Sequence, residues 1–452
     1  KFKELKDRER MLSKISTIIF LSLFLIVARG QHIAPENGVH DPHNTVYALT
    51  NCKVVLNPDV SIPKGLILVK DGIITYAGVM KPAPKDAVKI DLKGFTVYPS
   101  FIDIYSGDGI PKMDNKRTGG NPASVREGPY YWNPTVHPDV NAYDLYKAKE
   151  LKTRKDLVEQ GFGTIATHQE DGVVRGTSVL ISLADHPTVD NVIQAKVANH
   201  YSFTRGTSRL RYPSSQMGAI AVIRQFYYDA IWYASLDAPT KDNVSLRAGM
   251  ENKKLPHFFG VSDKLEVLRA AKIANEFKFE FLVKGGGNEY ERIPEIKASG
   301  ARLVVPVNFP NAYDVTDPYT SRFISLADLK AWEMRPYNPY FLHRAKIDFA
   351  LTTHGLKSKK QFLKQVKKAV KHGLPKEEAL RALTTRPAEF LHVDHLVGSI
   401  EKGKIANLLI VKGDLFENGV IYENWMRGDR KRFRDINEVD IRGTFDININ
   451  KV

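Results

Sequence analysis

Between about residues 99 and 395, short apolar runs alternate with longer segments of helical periodicity, and this alternation constrains the fold more than any other feature of the chain. GTIATH (163–168) follows the helix-like KELKTRKDLVEQ (149–160), and FEFLV (279–283) follows KLEVLRAAKIANE (264–276). ARLVVPV (301–307) follows NEYERIPEIKA (288–298), and IDFALTT (347–353) follows a segment around Trp332. Strands alternating with helices of this length imply parallel βαβ units. Roughly 300 residues of such units suit an α/β fold of the (β/α)8 TIM-barrel type with insertions. A Gly-rich dinucleotide fingerprint, which would argue for an open sheet, is missing.

The flanks read differently. TVYAL, GLILV, GIITYAG, AVKIDL and FTVYP follow one another from Thr45, separated by Asp-Gly, Pro and Lys-Gly turn signals, and NLLIVKG and GVIYE return to the same pattern after residue 407. Such spacing indicates a small all-β unit. The chain has 452 residues, 43% of them apolar, which is enough for one large barrel and a satellite. The expected organisation is a β-sandwich domain made from residues 45–98 and 400–446 around a barrel of residues 99–399. The Gly/Pro-rich stretch 107–129 reads as one long loop, and loops of that length are usually functional.

Residues 1–30 are expected to be an upstream extension followed by a secretory leader. Lys14 precedes a 13-residue apolar run, and Ala28-Arg29-Gly30 supplies a small-x-small cleavage site before Gln31. The run is shorter than the roughly 20 residues needed to span a bilayer, so stable membrane insertion is not expected after cleavage. Cys52, the single cysteine, permits no intrachain disulfide, and an exported protein of this kind suits a bacterial periplasm or envelope. The formal charge is +15. The basic residues are dispersed and no nucleic-acid motif accompanies them, so nucleic acid is not an expected partner.

Two segments carry a specific resemblance. Gly94-Phe-Thr-Val-Tyr-Pro-Ser-Phe-Ile-Asp103 resembles the entry into the first barrel strand of the amidohydrolase superfamily, where a Pro-Gly-Phe-Ile-Asp run leads into His-x-His. EEALRALTTRPAEFLHV, then HLVGSIEKGKIANLLIVKGD after one Asp, resembles that family's closing helix and its return to the β unit. The resemblance spans nearly all of residues 45–435. It implies a hydrolase fold whose members bind one or two divalent metals through His-x-His, a Lys or Glu, two further His and a final Asp, activating water for attack on carbon.

Those ligands are where this chain departs from the pattern. Tyr105 and Gly107 stand at the two His-x-His positions, Lys284 or Gly285 at a later His, and His354 at the final Asp. HFFGVSD offers no His at Phe259 or Val261, and the bridging Lys or Glu has no clear counterpart. The resemblance therefore implies a catalytically degenerate member, a pseudoenzyme with no expected cofactor, that binds a small-molecule ligand or supports a partner. Zinc or another divalent metal belongs only to the alternative of an active carbon–nitrogen hydrolase; a plain envelope binding module is a further alternative. A homodimer, or pairing with a metal-complete paralogue, is expected. The chain also resembles the first half of long exported bacterial proteins in which a ligand-depleted unit of this kind precedes a complete one.

The candidate pocket is His168, Asp171, Arg175, Lys284 and His354 with Tyr105, since strand ends at one barrel face line the active site. Mutual satisfaction of polar groups in a vacated pocket is the competing reading. His257, at a strand start, reads as structural. Tyr130, Tyr131 and Trp132 with His137, and the aromatic stretch 225–233, form either a ligand-binding wall or packing.

Overall fold

The computed structural model describes residues 45–112, 126–236 and 241–436. The leader, its cleavage site, most of the 107–129 loop and residues 437–446 of the expected β unit lie outside the described residues.

Both chain ends build one sheet. Strands β1 (Tyr47–Asn57), β2 (Val60–Lys70), β3 (Ile73–Val79), β4 (Val88–Asp91) and β5 (Phe95–Pro99) precede the barrel; β14 (Leu408–Lys412), β15 (Val420–Met426) and β16 (Asp429–Arg432) follow it. Their order is β16-β15-β14-β5-β1-β2-β3, with β4 also pairing β1. The ends meet where β14 runs antiparallel to β5, with Ile410 opposite Val97. The β2–β3 hairpin turns on Asp71-Gly72, both at positive φ (52° and 74°), which suits the twist of the strands it joins. Alternate residues of these strands, among them Leu49, Val54, Ile67, Val97, Ile410 and Trp425, pack into one apolar cluster. Cys52 lies in it, and burial pushes its thiol up to about 12, leaving it a small apolar filler.

The second sheet is the barrel, in the order β13-β12-β11-β10-β9-β8-β7-β6. Its strands are β6 (Phe101–Ser106), β7 (Phe162–Thr167), β8 (Val174–Ser182), β9 (Val192–Ser202), β10 (His257–Gly260), β11 (Phe281–Lys284), β12 (Arg302–Pro306) and β13 (Phe349–Thr352). All neighbours are parallel except around β8, which is antiparallel to both β7 and β9. This differs from a run of βαβ units. The links at residues 168–173 and 183–191 are too short for a crossover helix, so the chain turns back as hairpins.

The barrel is nearly closed, and Asp103 clasps its two end strands. On β6, its buried carboxylate accepts hydrogen bonds from the Thr352 hydroxyl at 2.7 Å, the Thr353 amide at 3.0 Å and the Thr353 hydroxyl at 2.6 Å. Inward residues such as Ile102, Ala166, Leu180, Phe258, Leu282 and Val304 fill the interior. Outward ones such as Phe101, Ile165, Phe259 and Val283 pack under the surrounding helices. Those helices start on local signals: Lys264–Phe277 begins where Asp263 accepts from the Leu265 and Glu266 amides. Among the described residues, no helix is long and apolar enough to cross a membrane.

Candidate functional site at the barrel mouth

The C-terminal ends of the parallel strands bring most of the candidate residues together around one aromatic ring. Tyr105, near the end of β6, is buried, with His168 4.7 Å away and His354 5.1 Å away, both edge-on. Its hydroxyl lies over Gly260 of β10, where a Cβ would come within 2.2 Å of it; only a glycine leaves room for it. Burial pushes the phenol up to about 12, although Arg175 works against the shift, so Tyr105 is a neutral hydrogen-bonding group.

Beside it lies a stack. The imidazoles of His168, just beyond β7, and His200, on β9, are face to face at 3.6 Å and 13°, and His200 lies in turn on Phe258 at 5.2 Å. Both histidines are buried and, among the described residues, none of their ring nitrogens has a hydrogen-bond partner. Burial holds both well below the usual imidazole range, and the Arg175 charge adds to it, so both rings are neutral.

The charged groups ring this stack. Arg175, on β8, is 8% exposed; it donates to the Gly172 carbonyl at 3.1 Å, and more weakly to the Thr204 hydroxyl at 3.4 Å and the Tyr105 hydroxyl at 3.5 Å. No carboxylate among the described residues lies within ion-pair distance of it. Glu170 fills the space beside Gly107, where a Cβ would meet its carboxyl carbon at 2.8 Å, and it pairs with His354 Nε2 at 3.1 Å. Burial alone would raise Glu170, but the His354 hydrogen bond and the charges of His354, Arg175 and Lys284 hold it below the usual carboxylate range. Lys284 ends β11 on the inward register of Leu282, and burial lowers its ammonium against the pull of Glu170 and Glu289.

Asp171 stands apart from this chemistry: it accepts from the Thr207 amide at 2.7 Å and hydroxyl at 2.9 Å, pinning the loop after β9. His257 is structural, with Tyr201 on Nδ1 at 2.9 Å, the Lys253 carbonyl on Nε2 at 3.2 Å and Phe279 stacked on its ring. The aromatic stretches divide. Tyr131, Phe226 and Tyr227 are core, whereas Trp132, Tyr228 and Trp232 are exposed. An open groove of about 830 Å³ lies where β7 begins, away from these strand ends; on its basic rim Arg154 pairs with Asp185 and Arg430 with Glu423.

The fold compares with solved structures and the sequence with families. An amidohydrolase from Thermotoga maritima MSB8 superposes with a TM-score of 0.67 at 21% identity, covering 85% of this chain and 100% of that one. Another amidohydrolase structure gives 0.52 at 15% identity, over 86% and 99% of the two chains. The imidazolonepropionase of Flavobacterium psychrophilum is 22% identical over 390 residues, 78% of this chain and 86% of that protein. The amidohydrolase family model matches residues 341–441. The chain has the amidohydrolase fold, and its closing segment matches the amidohydrolase family.

The donor set at the barrel mouth can be set against what a divalent metal needs. Among the described residues, no group of three or more His, Cys, Asp or Glu is placed to hold a metal ion. A neutral phenol, Tyr105, stands near the end of β6, two cations share the mouth, and the two stacked imidazoles lie parallel and cannot converge on one centre. The residues therefore do not fit a resident divalent ion. Two members of this mouth were not legible in the sequence. His200 sits on β9, whose first half, VIQAK, is only partly buried, although Ala198, His200 and Ser202 do share one alternating face. Glu170 follows His168 by two residues but belongs to a turn, where no periodicity marks it.

Proposed function

We propose that this amidohydrolase-family protein is catalytically degenerate with respect to metal-dependent hydrolysis and binds a small anionic ligand, a carboxylate or similar oxoanion, at the barrel mouth. One observation carries the reading: Arg175 is a nearly fully buried guanidinium with no carboxylate within ion-pair distance among the described residues, Glu170 acting on it only from farther off. Buried charges are ordinarily paired, because desolvation of an ion costs several kcal/mol. A bound anion supplies the missing partner, and the adjacent Lys284 adds a second positive charge.

Titration calorimetry with acetate, lactate and succinate tests it. At least one should bind, and Arg175→Met should weaken that binding by about tenfold or more, since a charge-assisted hydrogen bond contributes about 1.5–3 kcal/mol. Unchanged affinity in the variant would defeat the reading. The same substitution removes an unpaired buried charge and should leave the ligand-free protein as stable or more stable in thermal unfolding. Dialysed protein should retain less than one equivalent of zinc, manganese or nickel.

The rival reading, an active carbon–nitrogen hydrolase, is favoured by the Glu170–His354 pair, which has the form of a carboxylate-oriented general base. It requires turnover in a panel of amides and dipeptides that is lost in Glu170→Gln.

A further inference from the structure

The geometry points to Lys284 as a nucleophilic amine that condenses with the carbonyl group of a small oxo acid, forming an imine at the barrel mouth while Arg175 holds the carboxylate. The inference rests on the anion-binding reading above and adds to it a covalent step and a ligand class.

Lys284 is placed for this. It is the last residue of the sixth barrel strand, on the inward register set by Leu282, so its side chain rises from the packed interior into the mouth. On the neighbouring strand it pairs with Gly260, whose missing side chain is the space that the Tyr105 hydroxyl occupies. The amine therefore shares the mouth with Tyr105, and through Tyr105 with Arg175 and His354. Among the described residues, the Lys284 ammonium has no hydrogen-bond or ion-pair partner, unlike Lys359 nearby, which is held by Thr353 and Asp108. A lysine kept for structure would be expected to sit in such a pair. The low-dielectric surroundings favour the neutral, nucleophilic amine.

The chemistry balances without an outside reagent. The neutral amine adds to the carbonyl carbon, and the carbonyl oxygen takes up a proton to give a carbinolamine. That oxygen then leaves as water carrying a second proton, and the nitrogen, having given up both its hydrogens, is left in a carbon–nitrogen double bond. Glu170 and His354, paired at 3.1 Å and both partly exposed, are the acid/base groups positioned to move those protons.

The probes are pyruvate and levulinate, with lactate as the carboxylate that lacks a carbonyl. The protein is incubated with each oxo acid and cyanoborohydride and mapped by peptide mass spectrometry, while calorimetry records equilibrium binding of pyruvate and lactate. The expected result is a stoichiometric reduced adduct on Lys284 with at least one oxo acid, lost in Lys284→Arg, while the wild-type protein binds lactate without forming an adduct. If both acids bind but the adduct is absent, or is scattered over exposed lysines, the imine is overturned and anion binding stands. If neither acid binds and no adduct forms, both fail. Should Lys284→Arg not fold, the wild-type peptide map alone still decides, because it reads which lysine carries the label.

Discussion

His168, His200 and His257 are neutral imidazoles sealed inside the fold, and that makes stability depend on pH in a defined direction. The folded value of His257 is lowered to about 4 from 6.5, and burial moves the other two well below 6.5. As pH falls below 6.5 the unfolded chain takes up protons that the folded chain refuses, so stability present above that pH declines towards pH 4. Each imidazole contributes a slope of about 1.4 kcal/mol per pH unit, or up to about 4 for the three together. Urea unfolding between pH 7.5 and 5 should show this fall, and a flat profile would mean that water or a counter-charge reaches the rings. At this scale the sequence was legible where a motif anchored it: Tyr105, Gly107 and His354 were placed by their distance from recognisable strands. His200 and Glu170 were not, because a residue's neighbours across a barrel are set by strand register, which a single sequence does not print.

Barrel strands meet at this mouth through close approaches that tolerate little change. A methyl group at Gly260 would collide with the Tyr105 hydroxyl at 2.2 Å, so Gly260→Ala should cost about 1–3 kcal/mol. Tyr105→Phe in the same chain removes that oxygen and leaves ring carbon at 3.3 Å, so the double variant should recover most of the loss in denaturant titrations. Additive costs would show that the clash lies elsewhere. The β6–β13 clasp is a separate test. Asp103→Ala strands the donors of Thr352 and Thr353 in the interior, and should cost about 3–5 kcal/mol, with Asp103→Asn costing less. A loss below 1 kcal/mol would mean that backbone packing alone holds the strands together. The parallel strands β7, β11, β12 and β13 were foreseeable because each follows a helical segment. The β7–β8–β9 hairpins were not: VRGTSVLIS is buried along its whole length, and continuous burial erases the alternation by which a strand is recognised.

For the whole molecule, the exposed apolar side chains bear on association. Tyr319, Phe323 and Leu326 are 75%, 87% and 81% exposed within one excursion after β12, and Trp232 and Met217 are exposed on the helix Gln216–Ala234. If either patch forms a subunit contact, light scattering should give the mass of a dimer, and Phe323→Glu or Trp232→Glu should shift it to monomer. A monomeric wild type that recovers no amidohydrolase-like partner from cell extracts would remove association from consideration. The composite sheet was legible because turn signals separate its strands at both ends, and its central pairing has a consequence for biosynthesis. Strand β5 leaves the ribosome about 310 residues before β14, which completes one of its edges. At about 5–20 residues per second, Phe95–Pro99 spends on the order of 15–60 seconds with that edge bare. During that interval the nascent chain displays an apolar strand template to every other chain in reach. Chaperone demand in the cell should therefore follow the rate of translation through the barrel, and slowing that stretch with rare codons should raise the fraction lost to aggregation.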